Sequence, residues 1–388
     1  MKLIRNVDII TKDKVLKNHS LLVEDNKIKE ISKRIDFSEE VDEIIDGDGG
    51  YLMPGFIDIH SDYIEQLAAP RVTSVMDFEL ALYEFEKELV AHGITTMYHS
   101  ISLLKDIGKK VMRRPENVKK MIKEINKAHN QLHLVHHRFH LRLELDNIDG
   151  VDLVYDSINN NEIHLLSFMD HTPGQGQYRD LEIYKKSYID DEGLSKEQVD
   201  NELKNRMNKE MITLDKVKEI ASLALSKNIP IASHDDDTVE KLDLVKSFGA
   251  TISEFPITLE ILKAAREKEL LTVVGAPNVL LGGSHAGNLS AKEAIESGCA
   301  DIICSDYYPA SILHTIFKMV EYGQSLPDMV KMATLNPAIS VGIDHLVGSI
   351  EEGKNADFLI VKKLSNNFPA ITHVMVDGVL VSKMNYRI

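Results

Sequence analysis

The chain has 388 residues, 43% of them hydrophobic, which is enough for one large core and a small accessory unit. Its 45 Lys+Arg against 61 Asp+Glu give a net charge of -16, which argues against nucleic acid or an anionic membrane as the main partner. No apolar run approaches the roughly 20 residues that span a bilayer, no secretory h-region opens the chain, and the cysteines, Cys299 and Cys304, are too few for a disulfide framework, so a cytoplasmic protein is expected.

From the start to about residue 50 the sequence reads as short alternating strands, such as Ser20 to Glu24 and Lys27 to Ile31 on either side of Asp25-Asn26. The same texture returns at Ala356 to Val361 and at Thr372 to Val381, where Asp377-Gly378 marks a hairpin. Residues 1–53 and 345–388 are therefore expected to pair into one small β-sandwich flanking a catalytic unit at 54–344. Within that unit, short apolar strands alternate with amphipathic helical stretches. Eight strands are predicted: Gly55 to His60, Ile94 to His99, His140 to Leu145, Ile163 to His171, Pro230 to His234, Ala250 to Phe255, Leu271 to Ala276 and Ala300 to Asp306. This count favours a closed (β/α)8 barrel of the TIM type. A doubly wound open sheet competes, but no Gly-x-Gly-x-x-Gly follows the first strand. The stretch 172–214 is too long for an ordinary βα loop and reads as a mobile lid or a surface helical insertion.

Ligand-type residues cluster at the predicted strand ends. In Pro54-Gly55-Phe56-Ile57-Asp58-Ile59-His60-Ser61-Asp62, a period of two places His60 and Asp62 on one side and turns Ile57 and Ile59 toward the helices. In His140-Leu141-Arg142-Leu143-Glu144-Leu145 the same rule turns His140, Arg142 and Glu144 into the barrel. Later strands close on Met169-Asp170-His171, Ser233-His234-Asp235-Asp236-Asp237 and Cys304-Ser305-Asp306. A lone His or Asp at one strand end is ordinarily structural, whereas five such ends on one face point to an active site.

His60, His171 and His234, with Asp62, Glu144 and Asp306, could hold one or two divalent cations, Zn2+ first, with Mn2+ or Fe2+ as alternatives. Such an ion lowers the pKa of a bound water to roughly 7. Asp306 is expected to accept the proton of that water, with a ligand role as the competing assignment. Asp170, Asp235 and Asp236 are candidates for orienting histidine rings from behind. The segment Gly282-Gly283-Ser284-His285 could bring backbone amides close to a phosphate, or simply be a tight turn. Arg142 and Arg179, with Arg71, could add positive charge for a phosphorylated substrate; each could equally serve a salt bridge.

The His-x-Asp strand, the later strand-end histidines, the final Asp and the split terminal β unit resemble the amidohydrolase superfamily over nearly the whole chain. Longer strings are similar to one branch of it. They are Met169-Asp170-His171-Thr172-Pro173-Gly174-Gln175, Tyr178-Arg179-Asp180-Leu181-Glu182, Ala232-Ser233-His234-Asp235-Asp236, Ser253-Glu254-Phe255-Pro256, Pro277 to His285, and Ser305-Asp306-Tyr307. That branch is the PhnM family, the ribose methylphosphonate triphosphate diphosphatases of the carbon-phosphorus lyase pathway. The resemblance implies a barrel hydrolase that cleaves a phosphoanhydride of α-D-ribose 1-methylphosphonate 5-triphosphate, releases pyrophosphate, and works as a homo-oligomer on a small phosphorylated molecule. Two other readings compete. One is hydrolysis of a C-N bond in a cyclic amide or N-acyl substrate; the other is a metal-free, catalytically silent scaffold, against which retention of all the ligand-type residues argues.

Overall fold

The structure is a computed structural model that describes the chain apart from residues 34–40, 72–73, 105–110, 175, 177–180, 183–184, 186–188, 190–194, 284–287 and 388, with 202 and 206 described as backbone. The chain opens with β1 (Lys2–Ile10), β2 (Val15–Glu24), β3 (Lys27–Ser32), β4 (Glu43–Asp46) and β5 (Tyr51–Pro54). It continues into β6 (Phe56–Ser61), β7 (Ile94–Leu103), β8 (His136–Glu144), β9 (Leu165–Met169), β10 (Ile231–His234), β11 (Ile252–Glu254), β12 (Leu271–Gly275) and β13 (Ile302–Cys304). It ends with β14 (Phe358–Lys363), β15 (Pro369–Val376) and β16 (Val379–Lys383).

Strands β6 to β13 pair in sequence order in one parallel sheet, and each of the eight predicted strands is present in it. A parallel bridge between Ser61 and Asp306 joins the last strand's end to the first and closes the ring. Backbone bonds reinforce the seam: Asp306 N–H donates to His60 O and Asp62 N–H donates to Asp306 O, both at 2.9 Å. The architecture is thus a (β/α)8 barrel with a second, terminal sheet.

Helices pack on the outside. Phe78–Ala91 shows why they form where they do. Asp77 caps it by accepting from Leu80 N–H, and Leu82, Phe85 and Leu89 recur at helical spacing on the buried face. Each such side chain contributes about 1.5–3 kcal/mol on burial. The helix ends beside Gly93, whose φ of +78° only glycine adopts cheaply, and a Cβ there would meet Ile371, Leu359 and Phe56. Within the long stretch after β9, a helix runs Lys196–Met207 from a capping box of Ser195 and Gln198. Lys209 then pairs with Asp146 at 2.7 Å, which ties this stretch to the end of β8.

The second sheet has the order β16-β15-β14-β5-β1-β2-β3, with β4 on β1, so both chain termini share one ladder. Both faces of its central strands β5, β14 and β15 are covered, which explains continuous apolar runs there where alternation would be expected of a half-exposed strand. Leu52, Phe358, Ile360 and Met375 pack into the sheet's own core. Their neighbours Met53, Leu359, Val361, Val374 and Val376 face the barrel's outer core. No helix among the described residues is long and apolar enough to cross a membrane.

Candidate active site

The polar residues of β8 alternate as the period of two requires, and they turn into the barrel. His140 is fully buried and neutral, because burial drives its pKa down to about 3. Its Nδ1 stands 3.0 Å from Ile59 O, which can only accept, and 2.9 Å from Ser100 Oγ on β7, while Nε2 faces Ser167 Oγ on β9, which lies 2.9 Å from Glu254 Oε2. Strand β6 departs from strict alternation. Its pairing with β7 shifts register between Phe56 and Ile57 and again between Asp58 and Ser61. Ile57 and Ile59 consequently pack with Tyr98, Leu165, Ala232, Ile252, Val273 and Ile302, and not with the helix layer as the sequence led one to expect. Asp58 Oδ1 accepts from the backbone N–H of Ser305 (3.2 Å) and of His60 (3.3 Å), stitching β6 to the segment after β13. Burial pushes its carboxyl up to about 6.

Glu254, at the end of β11, is the hub. Its carboxylate accepts from Nδ1–H of His60 at 2.7 Å and from Nδ1–H of His234 at 3.3 Å. Burial opposes its ionisation, but the imidazoles of His60, His140 and His234 outweigh burial and hold the carboxyl well below the ordinary range. The rings of His60 and His234 stack with centroids 5.3 Å apart, and His171 meets His234 at 5.7 Å. The three expected histidines therefore converge. Glu144 stands behind them: it accepts from the backbone N–H of His171 (2.7 Å) and from His171 Nδ1–H (2.6 Å). A carboxylate on Nδ1 fixes the tautomer that puts the lone pair on Nε2, and Glu144 does this for His171 as Glu254 does for His60 and His234.

In front of those rings lies Asp235, held at φ +51° with its N–H donating to Glu254 O at 2.8 Å. Its Oδ2 is buried without a hydrogen-bond partner, 3.6 Å from His171 Nε2 and 3.5 Å from His234 Nε2. Tetrahedral ligands at about 2.0–2.1 Å from an ion stand roughly 3.4 Å apart, so these three atoms suit a divalent cation. Burial opposes charge on both His171 and Asp235, yet Glu144 and then Asp235 raise His171 to about 9, and His234 and then His171 lower Asp235 to about 2. Asp235, which with Glu144 holds a proton on His171, is the carboxylate that would instead face a metal there. His60, His234 and Glu254 form a second close group sharing His234. Arg142 places its guanidinium 3.2 Å from His234 Nε2, with Nε buried and unpartnered.

The remaining expected residues are placed differently. Asp62 turns to Arg113, which donates to Asp62 Oδ2 at 3.0 Å and to Glu65 at 2.9 Å. Asp306 enters beside His60 at φ +59°, with its carboxylate against Gly275, where a Cβ would come within 3.6 Å of Oδ2. Arg179, Ser284 and His285 lie outside the described residues. Two participants were missed in the sequence. Glu254 had a signal, since it ends a strand in phase with Ile252 as His234 does with Ala232. Arg113, on a short turn before the helix Pro115–His129, had none.

Against known proteins, the family model described as Amidohydrolase family matches residues 51–381. The α-D-ribose 1-methylphosphonate 5-triphosphate diphosphatase of Escherichia coli (strain K12) is 32% identical over 97% of this chain and 99% of its own. Among solved structures, the N-acetylglucosamine-6-phosphate deacetylase of Pasteurella multocida superposes with a TM-score of 0.64 over 97% of this chain and 98% of that one, at 14% identity. Molinate hydrolase does so with a TM-score of 0.66 over 98% of this chain and 94% of its own, at 13% identity. These two likenesses show the fold alone. The family match and the full-length relative go further: this chain is a hydrolase belonging to the amidohydrolase family.

Proposed function

We propose that the chain cleaves a phosphoanhydride of α-D-ribose 1-methylphosphonate 5-triphosphate, releasing pyrophosphate and leaving the 5-phosphate. The observation that carries this reading is similarity to the Escherichia coli diphosphatase over 97% of the chain. Buried Arg142 beside the histidine cluster supports it, because a phosphoryl transfer develops negative charge that a guanidinium stabilises. His171, His234 and Asp235 would hold a divalent cation, Zn2+ or alternatively Mn2+ or Fe2+, which when bound supplies Lewis acidity and a more acidic water. Glu144 and Glu254 orient the imidazoles. Asp306 takes the proton of the attacking water as its oxygen bonds to the α-phosphorus and the α–β anhydride bond breaks, with pyrophosphate as leaving group. His60 packs against His234 from within the cluster, Asp62 with Arg113 borders the site, and Arg179, Ser284 and His285 are assigned to the substrate's phosphates.

The test is a parallel assay of metal-loaded protein on this triphosphate, on nucleoside triphosphates and on N-acyl amino acids and cyclic amides. Pyrophosphate from the ribose triphosphate in preference to the other triphosphates supports the reading. Amine without pyrophosphate would replace it with hydrolysis at a carbonyl carbon.

A further inference from the structure

The strand that carries Arg142 and Glu144 into the barrel carries His137 out of it at the opposite end. His137 shares the outward phase of Phe139 and Leu141, and the stretch from it to Glu144 is roughly 23 Å of extended strand. There it meets Glu86, from the middle of the helix Phe78–Ala91, and His133, from the segment before β8. Glu86 Oε2 lies 3.1 Å from His133 Nδ1 and 3.3 Å from His137 Nε2, and the exposures of these side chains are 3%, 4% and 0%. The two rings stand at 88° with centroids 5.2 Å apart. Separations near 3.3 Å are the edges of a tetrahedral site with ligands at about 2.0–2.1 Å.

The surroundings fit a cation. Glu86 sets a carboxylate into an otherwise apolar face made by Leu82, Phe85, Leu89 and Val90, and among the described residues no lysine or arginine pairs with it. Burying an anion without full countercharge is costly, and a dication between Glu86 and the imidazoles would remove that cost. The outer contacts are also built: Leu134 N–H donates to Glu86 Oε2 at 3.0 Å, and His137 Nδ1 stands 2.9 Å from His99 Nε2 on β7. That second contact engages Nδ1 of His137 while Nε2 faces the carboxylate. A crevice lined by His129, His133, His136, His137, Arg138 and Asp377 gives a path from solvent.

We propose that Glu86, His133 and His137 form a second, structural metal site that takes Zn2+ or a similar transition-metal dication at the barrel face opposite the hydrolytic centre. It would clasp a helix, the segment before β8 and β8 itself, at the end of the barrel where residues serve stability.

Cobalt(II) tests this, because its visible d–d absorption reports tetrahedral coordination. In the full-length chain with His171→Asn and His234→Asn, which disable the hydrolytic cluster, about one Co2+ per chain should survive desalting, with a visible band and a rise in Tm on metal addition. Adding His133→Asn, or separately Glu86→Gln, should abolish the retained ion, the band and the rise. His133 sits outside regular structure, so its variant decides the matter should Glu86→Gln fail to fold, and far-UV circular dichroism of the metal-free forms tells the cases apart. With the hydrolytic cluster intact, His133→Asn should keep the kcat of the metal-loaded enzyme. No ion retained by the cluster-disabled chain, or retention and Tm rise unchanged by His133→Asn, would overturn the proposal.

Discussion

Replacing Glu254 with Gln keeps the shape of the hub and removes its charge. The carboxylate accepts from His60 at 2.7 Å, Ser167 at 2.9 Å and His234 at 3.3 Å. With the amide oxygen in the Oε1 position, the bond from His60 survives. The NH2 then occupies the Oε2 position, where Ser167 can rotate its hydroxyl and accept. His234 has no such freedom, because it must move its ring proton from Nδ1 to Nε2 to avoid facing one donor with another. That move blocks the nitrogen assigned to the metal. One charge-assisted bond is lost outright and another weakened, a cost of about 2–3 kcal/mol in stability. Metal affinity should fall by about 10–100-fold, the usual effect of removing such an outer partner. Urea denaturation of the metal-free protein and competition against a chromophoric chelator measure the two quantities separately. Unchanged metal affinity in a destabilised variant would refute the tautomer argument and leave Glu254 a purely structural residue.

Other predictions follow from separate parts of the molecule. Asp306→Asn should abolish turnover while leaving the denaturation midpoint nearly unchanged; near-normal activity would remove Asp306 from proton transfer. Gly55→Ala places a Cβ 2.1 Å from Thr95 Oγ1 and 2.8 Å from its Cβ, a clash no rotamer relieves, so stability should fall by about 1–3 kcal/mol in a urea titration. His136 is half-shielded, which favours its neutral form, but the bond to Asp357 at 2.9 Å prevails and raises its pKa above the ordinary 6.5. A raised folded-state pKa stabilises most below that ordinary value and ceases to do so as pH rises through the higher one. Wild-type Tm, measured with chelator present, should therefore lose a component above about pH 6.5 that His136→Gln lacks at every pH; parallel pH profiles for the two proteins would exclude the pair as its source.

How much of this was legible in the sequence depends on how local each signal is. All eight barrel strands could be placed, because an apolar run bounded by amphipathic helices is a local pattern. The inward phase of His140, Arg142 and Glu144 followed from the same periodicity, since β8 runs without a register shift. On β6 two shifts break the phase, and Ile57 and Ile59 went to the opposite side from the one alternation predicts. Glu144 was read as a ligand because its residue type and strand end fit, but whether a carboxylate faces an ion or the back of an imidazole depends on the neighbouring strand. Asp235 and Glu254 illustrate the same limit: the first was assigned behind the rings and lies in front of them, while the second serves two histidines from strands distant in sequence. Arg113 pairs with Asp62 across 51 residues, a contact that no spacing rule anticipates.

The ladder between β5 and β14, which pairs Pro54 with Phe358 and Tyr51 with Val361, bears on biosynthesis. β5 leads directly into the first barrel strand, yet its neighbour on one edge is made about 300 residues later, after the whole barrel. Until then Met53 lacks the cover of Leu359 and Val361, and the amino-terminal strands hold an open edge that other chains can add to. Completion of the native sheet therefore waits on a long-range loop closure, and nascent chains stalled short of β14 should be the ones that engage chaperones.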